Sequence, residues 1–587
     1  MKLTMPRTAP FRILVFPTNF TPAPIRRWWL RPGAFVLLAL CLAFAPLTAP
    51  ADSSPATHGM VASVHPLATE AGLNVLKSGG NAIDAAVAVG LTLGVVDVDN
   101  SGIGGGCFML IRLANGEFVA IDGREMAPAA ATRDMFLRNG KADADLSQTG
   151  ALASGVPGEV AAFDHAVTKF GRKKLSELIL PAAKIADRGF ALNPSYATRL
   201  NSVAADMAKF PASRAVFFKK GKPLKAGEIL KQPDLAATYR GIAGQGSDWF
   251  YRGPFAQATA KWMKANGGLM TAADFANYHI VLREPVTTMY RNYKIVTFAP
   301  PSSGGVHLVQ MLNMLETFDL KSMDDATRLH VIAETMKLAF ADRAYWLGDP
   351  DFVNVPRGLV SKEYAATLAK KINLERVTAV PSHGTPPDWE REVFKKHTTH
   401  FSVADADGNW VACTATVNTS FGSKVVIPGT GVVLNNEMDD FSAQAGVPNA
   451  FGLIGAEANA VAPGKRPLSS MTPTIVLKNG EPILALGAAG GPKIISAVLQ
   501  ELVSLLDLGM TPAAALAAPR IHQQWSPDEV MAEKALPEPL KTALAQRGHQ
   551  VKELNSFSVS QIVARSRDGK SFVGAADPRA TGNAAGW

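Results

Sequence analysis

The sequence predicts a mixed α/β fold, on three observations. Alanine-, valine- and leucine-rich helical segments alternate with short period-two strands. Several strand pairs are joined by Asn-Gly or Asp-Gly turns. Hydrophobic residues make up 47% of the 587 residues and charged residues 19%, a globular balance.

In order, a helix is expected from His65 to Leu76, with Pro66 near its start and Gly79-Gly80 beyond its end. A nearly uncharged helix from Ala82 to Gly94 should be buried. The glycines Gly102, Gly104, Gly105 and Gly106 precede a strand. A phosphate-binding loop needs a helix there, so they read as a tight turn beneath a site. Strands at Cys107–Arg112 and Phe118–Ile121 form a hairpin ending at Asp122-Gly123-Arg124-Glu125. Arg124 can reach into a cleft and hold a carboxylate, or pair with Glu125 on the surface. Residues 150 to 290 read as mostly helical. Strand Tyr293–Phe298 leads into a helix from about Val306 to Glu316, and another spans Asp324–Leu347. Residues 372 to 396 form the longest irregular stretch, where cleavage is tolerated.

The stretch from His397 to Asn418 reads as a β-hairpin. Polar residues alternate with apolar ones on both arms. A three-residue loop, Ala406-Asp407-Gly408, keeps like faces together and puts Gly408 in the left-handed position. That register sets Thr398 opposite Thr416 and His400 opposite Thr414, with Thr414, Thr416 and Asn418 on one face. Beyond it, Gly431–Asn435 reads as a strand running into the acids Glu437, Asp439 and Asp440. A loop of about Ser442 to Arg466 could cover a pocket. Strands Thr474–Leu477 and Pro482–Leu486 end in Gly487-Ala488-Ala489-Gly490-Gly491. A helix from Pro492 to about Leu508 follows, so free N–H groups at that turn could bind an anion. Further helices start at Thr511 and Leu536, and a strand pair turned at Asp568-Gly569 closes the chain.

The formal net charge of +9 is misleading. Six of the 59 basic residues and no acid lie within residues 1 to 51, which leaves 53 bases against 50 acids. No basic stripe with interleaved aromatics is present, so nucleic acid is not an expected partner. Residues 1–51 read as an export signal: a basic segment to Arg31, an apolar run from Ala34 to Ala45, and Ala49-Pro50-Ala51 as the cleavage box. The expected location is the periplasm, or outside the cell, of a bacterium. Cys107 and Cys413 read as buried small hydrophobes. No metal or other cofactor is expected. The Asp405–Asn409 turn places its glycine too early for a calcium loop, and His397/His400 lack the helix and glutamate of a zinc motif.

A threonine hydroxyl needs a base, and its own α-amine can serve if the chain is cut before it. For Thr398 that requires a break after His397, where the irregular stretch meets the strand. The motifs KHTTHFSVADADGN, NTSFGS, GVVLNNEMDDFS, RPLSSMTPTIV and GAAGGPKII, with SGIGGGCFMLIR, AIDGREMAPAAATRDMF, ASGVPGEVAAFD, PPSSGGVHLVQ and GDPDF upstream, strongly resemble the γ-glutamyltransferases, which are N-terminal nucleophile hydrolases. The resemblance covers essentially the whole chain after the leader. It implies a four-layer α/β/β/α sandwich, made as one precursor that cuts itself into a large subunit (52–397) and a small subunit (398–587). These remain together as a heterodimer. It implies Thr398 as the nucleophile for self-cleavage at His397-Thr398 and for catalysis, with Thr416 orienting it. Arg124, Ser469 and Ser470 would hold the substrate α-carboxylate, and Asn418, Glu437 and Asp440 its α-ammonium. Gly490 and Gly491 would form the oxyanion hole. Substrates would be glutathione and other γ-glutamyl compounds, with water or an amino-acid or peptide amine as acceptor. Phe451 stands where some relatives carry a tyrosine on the covering loop, and Lys493 is in keeping with the family. The alternative on the same scaffold removes glutaryl side chains from β-lactams. Retention of Arg124, Glu437 and Asp440 disfavours it, because a glutaryl group has no ammonium to bind.

Overall fold

The computed structural model describes residues 51–387, 402–555 and 557–587. The leader, His397, Thr398 and His400 lie outside the described residues. Two large antiparallel sheets dominate. The strands that build them are β1 (Gly59–Ser63), β2 (Gly106–Arg112), β3 (Phe118–Gly123), β4 (Val281–Leu282), β5 (Val286–Tyr290), β6 (Tyr293–Thr297), β7 (Ser402–Asp405), β8 (Trp410–Thr416), β9 (Thr474–Lys478), β10 (Glu481–Ala489), β11 (Val559–Arg565), β12 (Phe572–Ala576) and β13 (Asn583–Gly586). One sheet runs β4-β3-β2-β8-β7-β1-β13 and the other β5-β6-β9-β10-β11-β12.

Side-chain parity shows how the sheets stack. On β2 and β8, Cys107, Met109, Ile111, Val411 and Cys413 face a core shared with helices α1 (Pro66–Lys77), α2 (Ala82–Val96), α3 (Glu159–Phe170), α4 (Leu175–Arg188) and α5 (Pro233–Gln245). Their neighbours Leu110, Trp410 and Ala412 meet Ile475, Leu477, Ala485 and Val563 of the second sheet. On the far side of that sheet, Val476, Leu484, Leu486 and Ile562 pack on α6 (Ser303–Leu315), α7 (Asp325–Trp346) and α8 (Lys493–Leu502). Strands buried on both faces alternate between two apolar cores. The result is helix, sheet, sheet, helix: the four layers expected.

The predicted helices form within a few residues of their expected limits. Asn81 caps α2 in a capping box with Asp84, and all fifteen residues of α2 are buried, as its lack of charge requires. The helix after Gly491 is α8 followed by a π-helical turn at Val503–Asp507. The strand expected at Gly431–Asn435 does not form. That segment makes one isolated bridge, Val426 to Val433: Leu434 N donates to Val425 O and Ile427 N to Val432 O, but Val432 N turns to Thr430 Oγ1 and Asn435 N to Gly104 O, so the ladder stops there. Cys107 and Cys413 are buried free thiols. Among the described residues no helix is long and apolar enough to cross a membrane.

The helical layer over the second sheet also holds neutral imidazoles. Burial depresses His307 and His522 to about 3. His307 meets Gln310 at 2.7 Å, and His522 meets Ser496 at 2.6 Å and Gln524 at 2.9 Å. A lowered histidine pKa means the unfolded chain takes up the proton first. The stability it contributes is full above the ordinary pKa near 6.5 and is lost as pH falls toward 3. Urea unfolding between pH 7 and pH 5 should therefore show a declining midpoint. His522→Asn should flatten that decline by up to about 1.4 kcal/mol per pH unit.

Candidate active site

The hairpin register is the one read from the sequence. Val403 faces Val411 and Ala404 faces Trp410. The loop Ala406-Asp407-Gly408 is closed by Asp405 N to Asn409 O at 3.1 Å, with Gly408 at φ 96°. β8 also pairs with β2, which sets Thr416 beside Gly106. The glycine turn before β2 lies directly beneath. A Cβ on Gly105 would sit 1.9 Å from Thr416 O, so only glycine lets the two backbones approach.

Thr416 Oγ1 accepts from Asn418 N at 2.7 Å, which leaves its own proton free to donate into the cleft. The strand ends at Thr416, so simple alternation does not carry on to Asn418. Asn418 reaches the cleft through a left-handed backbone, φ 78°, and is anchored by its Nδ2 donating to Asn436 O at 2.9 Å.

Arg124 follows β3 and is 1% exposed, so the surface-arginine reading fails. Its Nε donates to Pro467 O at 3.1 Å, one Nη donates to Glu437 Oε1, and the other to Asp440 Oδ2 at 2.6 Å. Glu125 lies 3.6 Å away. The cation and the acids assigned to opposite ends of the substrate head are in direct contact. Burial pushes the Glu437 and Asp440 carboxyls upward and Arg124 pulls them back. Glu125, whose oxygens have no hydrogen-bond partner, is raised by burial to about 8. One guanidinium faces three buried carboxyls, and burial with their mutual repulsion raises all three.

Behind this cluster is a scaffold that the sequence reading missed. Asp122 accepts from Arg283 Nε at 2.7 Å and from Arg466 Nη1 at 2.7 Å. Burial raises the Asp122 carboxyl, but Arg466 and Arg283 outweigh it and hold it below its usual range. Arg466 precedes the Pro467-Leu468-Ser469-Ser470 segment and so ties it to β3. Asn435 bonds Gly104 O and Gly155 O at 2.8 Å each and accepts from Glu437 N at 3.0 Å, which fixes the acidic turn. The only local signal for these was the density of charged and amide residues in apolar surroundings.

Ser469 accepts from Met471 N through its hydroxyl at 3.1 Å. Gly490 and Gly491, at φ 141° and 61°, turn the chain from β10 toward α8. Neither amide has a backbone partner among the described residues. The Phe451 ring lies over Gly491, so the loop covers the cleft as expected. A Cβ on Gly490 would meet Ser558 Cβ at 2.9 Å and Cα at 3.0 Å. Arg124, Thr416, Asn418, Glu437, Asp440, Ser469, Ser470, Gly490 and Gly491 all line one cavity of about 310 Å³. Lys493 stands just beyond, its ammonium pKa lowered by burial.

Such a cavity offers a cation and acids for a zwitterionic head, and two amides that have no backbone partner among the described residues. Comparison with known proteins gives the family. The family model described as Gamma-glutamyltranspeptidase matches residues 68–587. The chain is 47% identical to the glutathione hydrolase proenzyme of Escherichia coli K12, over 89% of this chain and 91% of that protein. It is 40% identical to the acylase ACY 1 proenzyme of Pseudomonas sp. SE83, over 85% and 88%. Among solved structures, cephalosporin acylase from Bacillus halodurans superposes with a TM-score of 0.80 at 30% identity, over 93% of this chain and 99% of that one. Helicobacter pylori gamma-glutamyltranspeptidase does so with a TM-score of 0.52 at 43% identity, over 56% and 93%.

Proposed function

The chain belongs to the gamma-glutamyltranspeptidase family of enzymes, and on that premise we propose that it hydrolyses glutathione and transfers γ-glutamyl groups after cutting itself between His397 and Thr398. The observation that supports this most is the convergence of Arg124, Glu437, Asp440, Ser469 and Ser470 with the Gly490-Gly491 amides on one cavity. A γ-glutamyl donor carries an α-carboxylate and an α-ammonium on one carbon. The head enters between Arg124 and its acids, exchanging protein ion pairs for substrate ones. Ser469 and Ser470 complete the carboxylate site, and Asn418, Glu437 and Asp440 hold the ammonium.

In the precursor, Thr398 Oγ1 attacks the His397 carbonyl carbon. The peptide C–N bond breaks, the nitrogen takes the proton given up by Oγ1 and leaves as the α-amine, and water hydrolyses the resulting ester. The free α-amine of Thr398 is then the base for catalysis. It takes the hydroxyl proton as Oγ1 adds to the γ-carbonyl. The N–H groups of Gly490 and Gly491 stabilise the oxyanion. Collapse breaks the amide C–N bond, and the same amine returns the proton to the departing nitrogen. Water, or the amine of an amino acid or peptide, then attacks the γ-glutamyl ester. Thr416 keeps Thr398 aimed throughout. Glu437 and Asp440 favour this donor over a glutaryl one, which brings no ammonium.

We further propose that residues 1–51 direct export and are removed, and that fragments 52–397 and 398–587 stay together. A denaturing gel of the purified protein should show these two fragments, and a chromogenic γ-glutamyl anilide should be cleaved. A single band with no anilide release would sink the reading. Gly490→Ala should lower kcat by about 10²- to 10³-fold with little change in KM, because the added methyl displaces one oxyanion donor. Steady-state kinetics on the processed variant checks this.

A further inference from the structure

Arg124 lines the cleft and Arg343 is buried behind one of its serines, in different surroundings. Arg124 has three carboxylates within 4 Å. Arg343, near the end of α7, is 5% exposed; among the described residues it makes no ion pair within 4 Å, and Asp440 acts on it from farther away. Its Nε donates to Ser303 Oγ at 2.9 Å and its Nη2 to Ser470 Oγ at 3.2 Å. Ser303 in turn donates through its backbone N and its Oγ to Ser469 O, at 2.8 and 2.7 Å. One guanidinium therefore braces both serines of the carboxylate site.

Burying a cation with no anion in direct contact is costly, and such a group is well placed where a substrate anion arrives. Burial lowers the Arg343 pKa only to about 10, so it stays charged at neutral pH. The direction of the hydrogen bonds is informative. A guanidinium can only donate, so Ser470 Oγ is the acceptor of that bond and its own proton must point elsewhere. Ser470 lines the cavity, and Arg343 does not.

We propose that Arg343 is a positioning residue for the donor α-carboxylate: it turns the Ser470 hydroxyl proton into the cavity and supplies positive charge that Asp440 offsets only from beyond ion-pair distance. Arg124, paired with Glu437 and Asp440, remains the cation that meets the carboxylate directly, while its two acids take the ammonium. Arg343 makes the site select a carboxylate. This rests on the γ-glutamyl reading above.

The test uses the processed enzyme and two competitors of γ-glutamyl anilide hydrolysis. L-Glutamate carries the α-carboxylate. 4-Aminobutyrate keeps the ammonium and the γ-carboxylate and lacks only the α-carboxylate. Arg343→Gln should raise the KM for the anilide and the inhibition constant of L-glutamate together by about ten- to a hundredfold, the range of one charge-assisted hydrogen bond. The inhibition constant of 4-aminobutyrate and kcat should each move less than about threefold. Arg343→Lys should recover part of the loss. In a Ser470→Ala background, Arg343→Gln should cost clearly less than it does alone. Equal losses for both competitors, or a fall confined to kcat, would overturn the proposal as a merely structural effect. If Arg343→Gln does not fold, Arg343→Lys decides by the same pair of competitors. Should the wild type bind both competitors alike, α-carboxylate recognition itself fails. Should it not cleave the anilide at all, the failure is that of the enzyme reading.

Discussion

Thr398→Ala is expected to leave one uncut chain and no measurable turnover. Two losses coincide. Without the hydroxyl there is no attack on the His397 carbonyl, so the α-amine at position 398 is never released. Without the same hydroxyl there is no acceptor for the γ-glutamyl group. Removing a nucleophile from a site whose parts act together costs on the order of 10⁶ in kcat, and what survives comes from the oxyanion donors and binding alone. A denaturing gel and an anilide assay on the same preparation check both. Thr398→Ser separates them: a serine keeps the hydroxyl and the amine, so slow processing and partial activity are expected. Two fragments from Thr398→Ala would show that another residue cuts the chain. Thr416→Ala should act less severely, because Thr416 aims the nucleophile without forming a bond to substrate.

Arg124→Met is expected to lower kcat/KM by at least about 10³-fold and to destabilise the protein by about 3–5 kcal/mol. The first effect is loss of the cation between the head-group acids. The second arises because Glu437, Asp440 and Glu125 then face one another in a buried site with no counter-charge. The pH dependence identifies the cause. These carboxyls are already raised by burial, Glu125 to about 8. Losing Arg124 raises them further, so the folded variant holds protons that the unfolded chain releases above its ordinary carboxyl pKa near 4.3. Stability in the variant is therefore retained toward pH 5 and lost as pH rises toward 8. Chemical denaturation at both pH values checks this. A deficit that does not change with pH would mean that lost packing, not charge, is responsible. Arg124→Lys should restore much of the stability and little of the activity. An ammonium neutralises the acids but cannot bridge Glu437 and Asp440 in a planar fork.

What could be read from the chain follows the range of the forces involved. The hairpin register is set by apolar parity and a three-residue turn, both within twenty or so residues, and Val403 does face Val411. The limits of α1 and α2 follow from Pro66, Asn81 and the glycines after Lys77, again local. The glycine turn beneath Thr416 was recognisable because a strand, not a helix, follows it. The failures lie where the partner is distant. Gly431–Asn435 has strand composition, but its ladder with the preceding segment is cut short where Asn435 N donates to the distant Gly104 O. Asn418 has the parity of a strand residue but sits past the strand end at positive φ.

The sequence by itself determined the two-period strands, the hairpin, the capped helices and the family motifs, since each depends on near neighbours along the chain. Only the tertiary structure decided the charge balance of the cavity. Arg124 meets Glu437 and Asp440 across more than three hundred residues, and Arg343 meets Ser470 across 127. Strength in a buried charge pair depends on separation in space and exclusion of water, and neither quantity is written in the spacing of residues along a chain.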